Sequence, residues 1–182
     1  MPHYYYHTDR RSELKPGQVI TMAMDRTAIA QFNTDRAQFL ASLLPDGVTQ
    51  HGYGYLIDNR LEPAKDTNGT IEVLAEWIRQ ARYPLLPSRL QSFFAWRTLA
   101  DARSFVQQFA LAAPAGTRTD STIVEVEADE PVFESDMKRL SLGVCWLDAF
   151  VFLDAYWRQD YTPAPVVEVL LKPPVRVIRS IL

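Results

Sequence analysis

Val166-Val167-Glu168-Val169-Leu170-Leu171-Lys172-Pro173, near the C-terminus, decides how the rest of the chain is read. As a strand it sends Val167, Val169 and Leu171 to one face and Val166, Glu168 and Leu170 to the other, because side chains alternate along extended backbone. A carboxylate among aliphatic neighbours on a buried strand is costly unless it is paired or opens onto a cleft. Glu168 therefore sits on an edge or beside a partner such as Arg89 or Arg176, or it is a functional group. Thr122-Ile123-Val124-Glu125-Val126-Glu127 provides the contrast. Its valines take one face and its glutamates the other, the pattern of a half-exposed strand.

The 182 residues suit a single domain, 1–182, with a substantial core. Hydrophobic residues at 47% and charged residues at 23% describe a globular chain and exclude a disordered one. A net charge of -3 gives no broad attraction to nucleic acid or to anionic lipid. The single cysteine, Cys145, excludes an intramolecular disulfide and fits a reducing compartment. Met1-Pro2-His3-Tyr4-Tyr5-Tyr6-His7 lacks the charged and then apolar pattern of a secretory signal, so the expectation is a cytoplasmic protein.

In chain order, Tyr4 to Thr8 reads as a strand and Lys15-Pro16-Gly17 as a turn into a second, Gln18 to Met24. Thr34 to Leu44 has helical spacing and stops at Pro45-Asp46-Gly47, and the glycines and aromatics of Gln50 to Tyr55 suggest a closely packed loop. Asp58 to Gly69 reads as surface loop, and Thr70 as the cap of a helix to about Arg82 with Ile71, Leu74, Trp77, Ile78 and Ala81 on one face. Ser88 to Trp96 is strand-like. Thr98 opens a helix whose buried side carries Leu99, Ala102, Phe105, Val106 and Phe109. Pro114 to Ser121 is a loop, Asp136 to Arg158 reads as one long helix, and Val175 to Ile181 as a last strand. Asp148 and Asp154 interrupt the apolar run of that helix, which argues for a core helix and against a membrane span.

Several chemistries find no support. His3, His7 and His51 lack ligand spacing and one cysteine makes no thiolate cluster, so no metal is expected. Cys145, between Val144 and Trp146, reads as a packed, inert thiol. No Gly-rich phosphate loop or serine nucleophile elbow is present.

Three separated pieces remain: His7-Thr8 at a strand end, Ser92-Phe93-Phe94-Ala95 ahead of a helix, and Glu168-Val169-Leu170. Together and in this order they resemble the ADP-ribosyltransferase superfamily. In that family a first strand ends in His-Gly or His-Thr, a middle strand reads like Tyr-Phe-Ala before a helix, and a late strand begins with the catalytic Glu. The three pieces cover nine of the 182 residues, so the resemblance rests on their order and on the unexplained charge of Glu168.

The resemblance implies an α+β fold, an ADP-ribosyltransferase-like split, mostly antiparallel β core flanked by helices, with a cleft for NAD between its halves. It implies Glu168 and His7 as the catalytic pair, with NAD as the substrate that binds His7, Thr8, Arg10, Arg89, Ser92 and Phe93. Glu168 would stabilise the ribose cation formed as nicotinamide leaves. His7 would bond the adenosine-side ribose, the Thr8 backbone would pair with the nicotinamide amide, and Phe93 would give nicotinamide an apolar face. Ser92 would meet ribose. Arg89, Arg10 or the neighbouring Arg11 would meet pyrophosphate, which suits the planar fork of an arginine. ADP-ribose would pass to a protein or nucleic-acid acceptor, in the manner of a toxin or effector, without a membrane partner and with the oligomeric state left open. Two positions depart from the family pattern: Phe93 has no hydroxyl where the family usually has tyrosine, and Thr8 replaces the commoner glycine. These departures favour the alternative, a module of the same fold that binds a protein or nucleotide without turnover.

Overall fold

The computed structural model describes residues 3–29, 31, 34–57, 67–112, 121–129 and 131–181. The strands are β1 (His3–Asp9), β2 (Val19–Ile20), β3 (Phe93–Ala95), β4 (Thr122–Ala128), β5 (Pro131–Asp136), β6 (Val167–Leu171) and β7 (Val175–Ser180). The helices are α1 (Arg26–Ile29), α2 (Thr34–Leu43), α3 (Gln50–Leu56), α4 (Thr67–Arg82), α5 (Leu99–Ala112) and α6 (Trp146–Trp157). The fold is α+β, with every strand pairing antiparallel.

Two sheets share the strands, one in the order β1-β4-β7-β2 and the other β3-β6-β5. They touch where Tyr6 and Trp96 exchange backbone hydrogen bonds of 2.9 and 2.7 Å, so β1 and β3 meet at one residue pair and then diverge. Alternation along the strands divides the core. Tyr5, Val124, Val126, Val169, Leu171, Val175 and Val177 pack together on one side, with Phe93 partly buried against them. Leu170 and Phe133 turn the other way, onto Ile71, Ala75 and Ile78 of α4 and Leu153, Tyr156 and Trp157 of α6. Among the described residues no helix is long and apolar enough to cross a membrane.

Several local expectations are corrected. The second strand is only Val19–Ile20, because Met24 leaves it to bridge Val48. Residues 50–55 form α3 and not a loop, with the Thr49 hydroxyl accepting from Gly52 N. Asn68-Gly69 lies inside α4, whereas 58–66, the rest of the expected loop, fall outside the described residues, as do 113–120. Trp77 faces solvent at 66% exposure, although Ile71, Ala75 and Ile78 are buried as their spacing requires. The strand-like run from Ser88 begins with a 3-10 turn, Arg89–Gln91, which leaves three residues for β3. Glu125 is buried, not outward, and takes two bonds from Arg179.

The long helix from Asp136 does not exist. Asp136 ends β5, and its carboxylate accepts the N–H groups of Lys138, Thr162 and Val166 and the Thr162 hydroxyl. Those bonds hold the carboxyl below its ordinary pKa although burial alone would raise it. A 3-10 turn at Met137–Arg139 and a loop through Gly143, at φ 63°, lead to α6. Cys145 stands exposed at the N-cap of that helix, not packed within it. The Thr98 cap is as expected, its hydroxyl accepting from Asp101 N at 3.1 Å.

Candidate functional site

Glu168 lies near the start of β6, the central strand of its sheet, where it stands opposite Ser135 of β5. The residue is 2% exposed, so its charge needs partners. Arg89 Nη1 donates to Glu168 Oε1, and the Tyr156 hydroxyl donates to the same oxygen at 2.6 Å. Of the two partners the alternation argument names, Arg89 is the one present. Arg176 is exposed on β7, opposite Val19 and Glu127.

Arg89 is the centre of a larger cluster. Its Nε and Nη2 grip both oxygens of Glu72 on α4, at 2.9 and 2.8 Å, and Nη1 also reaches the Tyr156 oxygen at 2.7 Å. Burial by itself would lower the guanidinium pKa, and Glu168 and Glu72 carry it well above its ordinary value. Glu72 shows the converse: burial would raise it, and Arg89 foremost among its cationic neighbours holds it well below the carboxylate range. Tyr156 is pushed well above the ordinary phenol value by burial, so it remains a donor.

His51 of α3 closes the cluster on its outer side. Nε2 lies 3.2 Å from Glu72 Oε1 without the alignment of a hydrogen bond, and the imidazole is about a quarter exposed. Its ring meets Phe94 at 4.4 Å and Tyr55 at 4.9 Å, and the Arg89 guanidinium lies 4.8 Å from the Phe94 ring centre.

The turn that presents Arg89 is itself anchored. Ser88 Oγ donates to Glu76 at 2.8 Å, Arg79 bonds the same carboxylate, and Ser88 Oγ also accepts Leu90 N. Ser92 Oγ is spent on Ser88 O at 2.7 Å, and Ser92 is buried. Arg89 and Ser92 thus make their bonds inside the protein.

The N-terminal motif forms a second group. His7 Nδ1 stands 2.7 Å from the Phe94 carbonyl, which only accepts, so Nδ1 carries the hydrogen and Nε2 is left as an acceptor. Burial lowers the His7 pKa and favours that neutral form. The imidazole packs on Phe93 with ring centres 4.3 Å apart. Thr8 is buried and its hydroxyl accepts from Trp96 Nε1 at 3.2 Å, which leaves its backbone to follow β1. Asp9 accepts Arg11 N and Leu14 N and curls the following loop, on which Arg10 is exposed.

Phe93 and Phe94 send their rings to opposite sides of β3. Phe93 joins His7 and the core side of Val169 and Leu171, whereas Phe94 joins His51, Arg89 and the side of Leu170 and Glu168. The two groups meet at one residue, Phe94, whose carbonyl holds His7 and whose ring covers Arg89. Glu72, Tyr156 and His51 escaped the sequence argument. Glu72 and Glu76 both stand beside the buried positions Ile71 and Ala75 of α4, and that placement was the available signal.

Among the described residues no group of three or more His, Cys, Asp or Glu side chains is placed to hold a metal ion. No curated protein matches the chain. A family model described as protein of unknown function (DUF2441) matches residues 5–182, from within β1 to beyond the end of β7, and the chain therefore belongs to that family.

Proposed function

We propose that the protein transfers ADP-ribose from NAD to a protein or nucleic-acid acceptor and releases nicotinamide. One observation carries this reading: the strands bearing the three motif pieces are neighbours, β1 meeting β3 at Tyr6 and Trp96 and β3 pairing with β6, beside a fixed carboxylate on β6. Both bonds to Glu168 fall on Oε1, so Oε2 is the oxygen assigned to a ribose hydroxyl. As the nicotinamide–ribose bond breaks, its electron pair leaves with nicotinamide and positive charge grows on the sugar. A carboxylate already held in place stabilises that charge more than it stabilises the neutral ground state. Neutral His7, with Nε2 free to accept, is suited to position a ribose hydroxyl and not to exchange a proton.

A second reading, binding without turnover, also has a specific observation behind it. Arg89 neutralises much of the Glu168 charge, and Phe93 lies on the opposite side of β3 from Glu168. Incubation with labelled NAD separates the two. Nicotinamide release by the wild type, lost by at least about a hundredfold in Glu168→Gln with an unchanged far-UV spectrum, is the outcome expected of the enzyme, since removal of one stabilising group at a developing charge costs that much. NAD binding by calorimetry with no release by either protein would favour the module, and absence of NAD binding would overturn the enzyme.

A further inference from the structure

Among the described residues the broadest run of exposed apolar side chains lies on α6. Trp146 is 64% exposed, Leu147 68%, Phe150 46% and Val151 52%, and Val144, just ahead of the helix, is 99% exposed. At about 100° per residue the four helical positions fall within one stripe on the side away from buried Ala149, Leu153 and Tyr156. Asp148 does not interrupt it, because its carboxylate turns back to accept Val144 N at 3.1 Å. The stripe ends at Asp154, where Arg82, Arg158 and the Tyr83 hydroxyl converge on one carboxylate. Beside that cluster is a groove of about 410 Å³ lined by Arg82, Tyr83, Pro84, Leu85, Leu86 and Trp157.

We infer that this face binds a second copy of the chain, with the two α6 helices antiparallel about a two-fold axis passing between Leu147 and Phe150. The five side chains present on the order of 600 Å² of apolar surface, at the top of the range for a monomer and near the roughly 800 Å² that each partner brings to a stable interface. A two-fold axis at that point sets Leu147 against the partner's Phe150 and Trp146 against the partner's Val151, so the four helical apolar groups meet one another. It also carries Val144 towards the partner's Asp154 end, beside the groove. Antiparallel packing opposes the helix dipoles as well. A bilayer suits the face less, since the ionisable groups nearest the stripe include Asp148 and Asp154, its arginines are already paired to Asp154, and the net charge is -3.

Sedimentation equilibrium from about 1 to 100 μM tests the inference. The expected result is a dimer that Leu147→Glu converts to a monomer, with an unchanged circular dichroism spectrum and unfolding midpoint measured on the monomer. A spin label on Cys145, the single cysteine, adds a geometric readout. The rise of 1.5 Å per residue, an interaxial distance of 8–10 Å and a Cα radius of about 2.3 Å, with Cys145 on the outer side of each helix, put the two Cys145 Cα atoms about 17 Å apart, and the labels within about 35 Å. A wild type that stays monomeric at 100 μM overturns the proposal. So does a dimer that Leu147→Glu leaves intact, or one whose labels lie beyond that range.

Discussion

Arg89 shows how much one side chain can hold together. It takes Glu72 from α4, Glu168 from β6 and the Tyr156 hydroxyl from α6, and it is itself presented by a turn capped by Ser88. The gain of such a buried cluster over apolar packing is small, because desolvation offsets most of the attraction. Its loss is not small. Arg89→Met leaves two buried carboxylates facing each other and is expected to cost about 3–5 kcal/mol in urea unfolding. Arg89→Lys should recover only part of this, since one ammonium cannot make the forked contact to Glu72 while also reaching Glu168. A variant that matches the wild type would show that the cluster contributes nothing to stability. From the sequence, the charge of Glu168 announced itself against its aliphatic neighbours and Arg89 was a named partner. Glu72 and Tyr156 were silent, because a glutamate on a helix and a tyrosine in an apolar run each have an ordinary explanation.

At the scale of elements, close approach matters more than propensity. α3 carries two glycines in seven residues, an unpromising composition for a helix, yet it is held by the Thr49 cap and by contact with the turn that presents Arg89. Gly52 is the point of contact. A Cβ there would stand 2.2 Å from Leu90 O, and backbone cannot yield as a side-chain tip does. Gly52→Ala is therefore expected to lower stability by about 1–3 kcal/mol, although alanine is the better helix former. A thermal melt decides, and a raised midpoint would mean that propensity outweighs the clash. Gly54, where a Cβ would enter open space, is the control, and alanine there should be neutral or stabilising. The glycine pattern did reveal close packing, but it suggested a loop because the surface that selects the helix belongs to residues 88–92. The same limit explains the misread stretch after Asp136. Its apolar spacing suited a helix, and the donors that bend the chain away come from Thr162 and Val166, more than twenty residues on.

The whole molecule should be sensitive to acid, with a sign set by three groups. His7 has a folded pKa below its ordinary 6.5 because burial disfavours the imidazolium. As pH falls through 6.5 the unfolded chain takes up that proton before the folded one does, so stability declines below that point. Glu72 and Asp136, also lowered, contribute stability that is present above their ordinary values of 4.5 and 3.8 and is lost on further acidification. The unfolding midpoint should fall between about pH 7 and 5, and His7→Gln, whose amide can still donate to the Phe94 carbonyl, should flatten that part of the curve. An equal decline in the variant would assign the loss to other groups.

By itself the sequence determined that strand and helix segments mix along the chain, the alternation that gives β6 its two faces, and the presence of a charge on β6 that required an answer. Those features are local: they depend on the period of the backbone and on the cost of moving a carboxylate out of water. Only the tertiary structure decided which groups answer that charge, which side of β3 each phenylalanine takes, and that the N-terminal imidazole and the guanidinium holding the late carboxylate meet at Phe94. Contacts between positions 7, 51, 72, 94, 156 and 168 are made by packing α3, α4 and α6 against a sheet that parts at Tyr6 and Trp96, and no spacing along the chain encodes them.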